Sequence, residues 1–145
     1  MAALHPYLNF NGNTEEVFNF YKSVFGGEFP MIMRFKDAPP EFRADKGEEN
    51  KIMHIMLPIG KNSLLMGSDM PTAMGKANPG NNMSISITAD SKEEADKLFN
   101  GLSAGATKII MPMSQAFWGS YFGMLVDQYG ISWMVSYDTG GLQQN

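Results

Sequence analysis

Apolar residues recur at helical spacing in two segments of the chain, Asn13–Phe25 and Ser91–Ser103. In the first segment, Val17, Tyr21 and Val24 are three or four residues apart, which puts them on one face of a helix. Each segment starts with a polar residue suited to capping and then has two glutamates in its first turn, where negative charge is favourable. Both segments are therefore predicted to be amphipathic helices.

Short β-rich segments surround each predicted helix, and turns rich in glycine, proline and asparagine separate them. The predicted strands are Leu4–Asn9, Glu28–Phe35, Lys51–Ile59 and Ser63–Gly67, then Met83–Thr88, Ala106–Pro112, Ser120–Asp127 and Ile131–Tyr137. Two longer segments, Lys36–Asn50 and Asp69–Asn82, contain prolines and are predicted to be loops. Each half of the chain therefore has the order βαβββ.

The two halves of the chain resemble each other. A shift of 78 residues, the distance from Glu15 to Glu93, also superposes Val17 on Ala95 and Gly27 on Gly105. Two copies with so long a period indicate a duplicated module rather than an array of short repeats. We therefore predict an α+β fold in one domain of 145 residues, built from two modules at about residues 3–69 and 83–138.

The composition excludes several classes of function. With 11 Lys and Arg against 15 Asp and Glu, the net charge is −4, and the few basic residues are scattered, so we expect no binding to nucleic acid. No apolar run approaches the roughly 20 residues needed to span a bilayer, and we expect no contact with membranes. The absence of cysteine excludes disulfides and thiolate chemistry. The expected location is the cytoplasm.

Four segments resemble the PhnB-like family, which is often labelled demethylubiquinone methyltransferase-like. They are HPYLNFNGNTEEVFNFYKSVFGGE, IMHIMLPIGKNSLLMGSD, EEADKLFNGLSAGA and IIMPMSQAFWGSYFGMLVDQYGISWM, in order from about His5 to Tyr137. The family belongs to the vicinal oxygen chelate superfamily, with glyoxalase I, extradiol dioxygenases and the bleomycin and fosfomycin resistance proteins. The resemblance implies half-barrel sheets around a ligand cavity, and a homodimer that shares its cavities between chains.

The resemblance also implies four positions for metal ligands, one on the first and one on the last strand of each module. In this sequence they fall on His5, Met66, Met83 and Met134. Thioethers are poor ligands for Zn²⁺, Ni²⁺, Mn²⁺ or Fe²⁺. We therefore expect no metal site and no cofactor. The alternative is a divalent metal held by shifted ligands, with Asp69 supplying an oxygen.

An apolar cavity floor is predicted in place of the metal. Alternate residues of a strand share a face, so Met66 and Met134 should point into the same cavity as His5. The residues expected to contact a ligand are Phe35, Met66, Met83, Phe117, Trp118 and Met134. Such a lining suits a flat or aliphatic organic molecule. The alternative for the methionines is core packing, since Met fills irregular apolar space.

His5, His54 and Asp69 are the candidate catalytic residues. His54 could act as a general base paired with Asp69 or Asp127. The simpler alternatives are structural. In these, His54 is satisfied by a neighbouring carbonyl or hydroxyl, His5 faces solvent at a strand end, Asp69 caps a loop and Asp127 shapes a hairpin turn.

Together these features predict a metal-independent enzyme of unknown reaction that acts on a small organic molecule. One alternative is a protein that binds and sequesters such a molecule, as the bleomycin resistance proteins do. The other is a metal-dependent lyase or dioxygenase with shifted ligands. Methyl transfer finds no support, because the sequence lacks the Gly-rich turn and doubly wound pattern of a typical methyltransferase that uses adenosylmethionine.

Overall fold

The computed structural model describes residues 1–42 and 46–139, and the chain divides into two compact units between Asn78 and Pro79. The N-terminal unit contains β1 (Tyr7–Phe10), α1 (Thr14–Phe25), β2 (Met31–Arg34), β3 (Ile52–Ile59) and β4 (Ser63–Asp69). The C-terminal unit contains β5 (Ile85–Thr88), α2 (Lys92–Ser103), β6 (Lys108–Gln115), β7 (Ser120–Val126) and β8 (Ser132–Asp138). The predicted order βαβββ is confirmed in both units.

Each unit forms one four-stranded mixed sheet. The strand order is β1-β4-β3-β2 in the first sheet and β5-β8-β7-β6 in the second. In both sheets the first strand runs parallel to the last, and the other neighbours are antiparallel. A parallel pair needs a long connection, which the helix and the two intervening strands provide. The α+β fold with two modules is therefore confirmed.

One face of the N-terminal sheet packs against α1. Phe18 and Tyr21 of α1 are fully buried, as is Leu57 of the sheet. A Cβ atom on Gly67 would lie 2.7 Å from the ring of Phe18 and 2.8 Å from the carbonyl oxygen of Leu8. Because such contacts are too short for any side chain, glycine at this position lets the helix approach the strand closely.

The C-terminal sheet packs against α2 in the same way. Ala95, Phe99 and Leu102 of α2 are buried, and the sheet residues buried on the helix side include Leu125, Trp133 and Val135. A Cβ atom on Gly123 would lie 2.8 Å from the ring of Phe99. An aromatic ring over a glycine therefore joins helix to sheet in both units. Neither helix, and no other helix in the described part of the chain, is long and apolar enough to cross a membrane.

Strand β2 ends one residue earlier than predicted and β5 begins two residues later, and this moves two predicted ligand contacts out of the strands. Strand β2 ends at Arg34, so Phe35 lies in the helical turn Phe35–Asp37, where it is only 7% exposed. The pairing of β2 with β3 shifts register between Met33 and Arg34, the last residue of the strand. Strand β5 begins at Ile85, so Met83 precedes it.

Candidate functional site

A row of apolar residues crosses the N-terminal sheet on the face opposite α1. Tyr7 pairs with Met66, Met66 with Met56, and Met56 with Met31, so each strand contributes one residue. Directly paired residues have Cβ atoms about 4.5–5.5 Å apart, which makes the row a continuous strip. We call these four residues the N-terminal methionine row. Met66 and Met56 are half-buried, and Tyr7 is 43% exposed.

The C-terminal sheet carries an equivalent row on the face opposite α2. Ser86 pairs with Met134, Met134 with Met124, and Met124 with Met111. These four residues form the C-terminal methionine row. The three methionines occupy the strands that correspond to β4, β3 and β2, so the same pattern of side chains is built twice.

A second, more polar row lies beside the N-terminal methionine row. Asn9 pairs with Ser68, and Met33 pairs with His54. The hydroxyl of Ser68 donates to the side-chain oxygen of Asn9 at 3.3 Å. Amide, hydroxyl and imidazole groups therefore border the methionines along one side.

Tyr7 and His54 join the two rows. The Tyr7 hydroxyl lies 3.3 Å from Nδ1 of His54, and the two rings stack with centroids 5.7 Å apart and planes 27° apart. The hydroxyl donates when Nδ1 carries no proton. The structure thus gives His54 the hydroxyl neighbour of the structural alternative, in place of a carboxylate from Asp69 or Asp127.

Asp69 has a structural role at the start of α1. It is 2% exposed, and one oxygen accepts hydrogen bonds from the amides of Gly12 and Thr14 at 3.0 Å and from the Thr14 hydroxyl at 2.6 Å. The other oxygen accepts from the amide of Ile52 at 2.8 Å. The carboxylate is on the α1 side of the sheet, so of its two predicted roles the loop cap fits and the proton-transfer partner of His54 does not.

Asp127 is also buried and structural. It accepts hydrogen bonds from the amides of Tyr129 and Ile131 at 2.8 and 3.0 Å and from the indole of Trp133 at 2.9 Å. These bonds hold the turn between β7 and β8, as the structural alternative predicts. Asp127, the other candidate partner of His54, is therefore hydrogen-bonded within the C-terminal unit.

The four positions that the superfamily uses for a metal do not form a suitable donor set. Nδ1 of His5 accepts a hydrogen bond from the amide of Leu64 at 3.1 Å, which fastens the start of the chain to β4. Met66 and Met134 offer only thioethers, and Met83 is 82% exposed outside β5. Among residues 1–42 and 46–139, no group of three His, Asp or Glu side chains is arranged to hold a metal ion.

Of the aromatic ligand contacts predicted, Phe35 is buried, whereas Phe117 and Trp118 are exposed. The latter two occupy the turn between β6 and β7, which the amide of Ala116 closes by donating to the Ser120 carbonyl at 2.7 Å. Phe117 is 93% exposed. Trp118 packs on the ring of Phe122 at 5.3 Å, and Phe122 lies on the same face as the C-terminal methionine row. The side chain of Phe35 belongs to the core of the N-terminal unit, and its contact with a ligand stays a prediction.

The predicted ligand contacts do not include five residues of the two rows, namely Tyr7, Met31, Met56, Met111 and Met124. Tyr7 had a usable signal, because it lies two residues after His5 and two before Asn9 on the predicted strand Leu4–Asn9. The methionines of different strands carried no such signal, since their alignment in a row depends on strand register.

The comparisons with known proteins agree with this architecture. The model of a family described as 3-demethylubiquinone-9 3-methyltransferase matches residues 2–136. The solved structure of protein PA1353 from Pseudomonas aeruginosa is 37% identical, with a TM-score of 0.83 over 95% of this chain and 98% of that one. A putative 3-demethylubiquinone-9 3-methyltransferase, PhnB protein, from Bacillus cereus is 28% identical, with a TM-score of 0.72 over 94% and 99%.

More distant structures share the fold alone. A glyoxalase/bleomycin resistance protein/dioxygenase family enzyme from Burkholderia phytofirmans is 21% identical, with a TM-score of 0.59 over 91% of this chain and 96% of that one. The fold that it shares with this chain is the one expected from the sequence. The chain therefore belongs to the PhnB-like family described as 3-demethylubiquinone-9 3-methyltransferase, and it has the fold of the glyoxalase/bleomycin resistance superfamily.

Proposed function

We propose that this protein binds a small organic molecule on the N-terminal methionine row and acts on it as an enzyme without a metal. The observation that carries the proposal is the Tyr7–His54 pair at the edge of that row. Ligand sites combine a mainly apolar lining with a few polar groups that fix orientation. The row and its polar border supply both on a single sheet.

The methionines suit this role physically. Thioether side chains are flexible and polarizable, and they make favourable contacts with aromatic rings. Half-burial leaves Met56 and Met66 partly accessible on the face opposite the helix. A planar, polarizable molecule would therefore gain contact area there without displacing the core residues that hold the sheet to α1.

The choice between an enzyme and a sequestering protein depends on His54. A sequestering protein needs only the apolar row, whereas an enzyme needs a group that can exchange protons beside the ligand. His54 can do so because it lies on the ligand-facing side of the sheet and contacts the Tyr7 hydroxyl. This placement favours catalysis over simple sequestration.

Metal independence and the absence of a cofactor remain part of the proposal. The support is chemical, since thioethers at Met66 and Met134 do not suit divalent ions. Methyl transfer, which the family description names, is not proposed. Both sheets are mixed and four-stranded, unlike the doubly wound parallel sheet that typically binds a nucleotide-like cofactor.

The proposal is tested by NMR with methionine methyl labels and a panel of planar aromatic fragments that includes 4-nitroanisole. We expect saturable shifts at Met31, Met56 and Met66, unchanged after dialysis against a chelator. Met74 is exposed outside both sheets and serves as the internal control. Shifts that are absent for every fragment, or as large at Met74 as in the row, would overturn the proposal.

We also expect a homodimer that works in the cytoplasm. Strand β6 lies at the edge of its sheet and exposes Ile109, Ile110 and Met111. Exposed apolar edges of this kind are usually covered in a soluble protein. Multi-angle light scattering should give twice the 16.0 kDa chain mass, and a monomer at micromolar concentration would contradict the expectation.

A further inference from the structure

We propose that Tyr7 and His54 act together as a proton acceptor for a ligand that carries an ionisable hydroxyl group on a planar, conjugated body. This inference rests on the proposed function and adds the class of ligand and the roles of the two residues. In it, the ring system lies on the N-terminal methionine row, and its hydroxyl points toward the Tyr7 oxygen.

Tyr7 and His54 lie where the two rows of the N-terminal sheet meet. Tyr7 is itself a member of the methionine row, directly paired with Met66, whereas His54 belongs to the polar row beside it. A ligand that lies flat on the methionines therefore contacts the phenol of Tyr7 at the edge of the row. The imidazole of His54 lies beyond that phenol. Tyr7 is 43% exposed, so the residue is open to contact with a ligand.

The hydroxyl of Tyr7 lies between the methionine row and the imidazole of His54. The Tyr7 hydroxyl already contacts Nδ1 of His54 at 3.3 Å, which is within reach of a bond that tightens when a ligand binds. The neighbouring carboxylates do not compete. Asp69 is buried on the opposite face, with both oxygens bonded to the chain around α1. His54 is thus the basic group that the Tyr7 hydroxyl reaches.

The proton transfer balances without an added reagent. The O–H bond of the ligand breaks and its proton goes to the Tyr7 oxygen, while the Tyr7 proton moves to Nδ1 of His54. Tyr7 ends as a neutral phenol, the ligand as an anion and His54 as an imidazolium. The anion remains hydrogen-bonded to the Tyr7 hydroxyl, and its charge lies close to that of the imidazolium.

The methionine row also favours a particular shape for the body of the ligand. Ionisation of a hydroxyl is easiest where the negative charge spreads into a conjugated system, and such systems are flat. A flat π-system is also the shape that a row of thioethers contacts best. The row and the pair therefore select the same class of molecule, one with an acidic phenol or enol on a planar ring.

The experiment compares 4-nitrophenol with 4-nitroanisole, its methyl ether, which has no proton to give. At a pH just above the ordinary pKa of histidine, where an imidazole is neutral and most free 4-nitrophenol is still protonated, we expect the bound probe to show the absorbance band of the phenolate. We expect Tyr7→Phe and His54→Gln each to lower the bound phenolate fraction by about tenfold or more, because each removes a charge-assisted interaction. Tyr121→Phe removes a tyrosine hydroxyl from the C-terminal unit and should leave the fraction unchanged.

A second measurement needs no substitution. In protein labelled with ¹⁵N-histidine, we expect 4-nitrophenol to convert His54 to the imidazolium, whereas 4-nitroanisole shifts the methionine methyl groups but leaves the imidazole neutral. If both probes shift the methionines and neither the phenolate band nor the imidazole responds, the inference fails while the proposed function stands. If neither probe reaches the row, both fail.

Discussion

Helix α1 and helix α2 lie on their sheets in the same way, but they begin with different polar contacts. In the C-terminal unit, α2 is capped by residues close to it in the sequence. The Ser91 hydroxyl accepts a hydrogen bond from the Glu94 amide at 3.0 Å, and the Glu94 carboxylate accepts one from the Asp90 amide at 2.7 Å. In the N-terminal unit, Asn13 makes no side-chain cap with the described residues. Asp69 at the end of β4 caps α1 instead.

This comparison shows which contacts the two units share and which differ between them. The packing of an aromatic ring on a glycine recurs as Phe18 on Gly67 and as Phe99 on Gly123, because the spacing of helix and sheet depends on it. Polar groups need only a partner, which several arrangements can supply. The two units therefore share their shape and differ in their hydrogen bonds.

The two sheet faces that lie opposite α1 and opposite α2 also share their shape and differ in their polar groups. Both carry three methionines in a row, but the row beside them contains Asn9, Ser68 and His54 in the N-terminal unit. In the C-terminal unit the neighbouring row consists of Thr88, Ser136, Phe122 and Ser114. The apolar surface is therefore common to both units, whereas the imidazole on the sheet face is particular to the first.

The strongest test of the different helix starts is Asp69→Ala. We expect a loss of roughly 3–5 kcal/mol of unfolding free energy, because several buried N–H and O–H donors lose their acceptor. Urea unfolding measures the loss, and hydrogen exchange should show the start of α1 opening while α2 stays protected. Asp127→Ala is the matched variant, and it should loosen the β7–β8 turn but not α2. Equal loss of protection in both helices after Asp69→Ala would contradict this account.

The two faces of one sheet are compared by truncating adjacent residues of β4. Leu65 is buried on the α1 side, and Leu65→Ala should cost roughly 2–5 kcal/mol as a core deletion. Met66 lies on the opposite face, and Met66→Ala should cost about 1 kcal/mol or less. The unfolding midpoints in urea give both values. A loss for Met66→Ala as large as that for Leu65→Ala would assign the methionine to the core.

Substitution of the residues at the N-cap positions should change the unfolding free energy by a smaller amount. Ser91→Ala should lower the unfolding free energy by about 1 kcal/mol, the usual value of an N-cap hydroxyl. Asn13→Ala, at the corresponding position before α1, should cost only a few tenths, since Asp69 does the capping there. Chemical unfolding of the two variants in parallel decides the point, and equal losses would show that Asn13 also caps its helix.

The smallest effect concerns pH. The hydrogen bond from Arg34 lowers the pKa of Glu15 on α1. Burial opposes this shift, and the charge of Arg34 adds a further, smaller lowering. Because the folded-state pKa is depressed, the pair stabilises the protein above the unfolded pKa and the gain is lost as pH falls through the folded one. The pair is largely exposed, so we expect less than about 1 kcal/mol.

Arg34→Ala provides the measurement. Carbon-detected NMR titration should show the pKa of Glu15 rising toward its ordinary value, and the stability difference from the unsubstituted protein should shrink in acid. In the C-terminal unit, Tyr121 donates to Asp96 of α2 at 2.5 Å, which raises the pKa of Tyr121. Its titration should not respond to Arg34→Ala, and a shift there would show that the substitution acts beyond the Glu15 pair.

The sequence by itself determined the order of the elements and much of what each one buries. The three-and-four spacing of Val17 and Tyr21 specifies a helix and its apolar face, and the structure begins α1 one residue after the predicted start. Strand alternation also separates Met66 from Leu65, one on each face of β4. These features are local, since they follow from the period of a helix or a strand.

Only the tertiary structure decided which residues of different strands meet. Alternation assigns a residue to a face, but the register between strands determines that Met66 lies beside Tyr7 and Met56. The contact of Tyr7 with His54 spans 47 residues, and that of Thr14 with Asp69 spans 55. The sequence does not reveal which group a carboxylate or an imidazole will contact, because the pairing of the strands determines that partner.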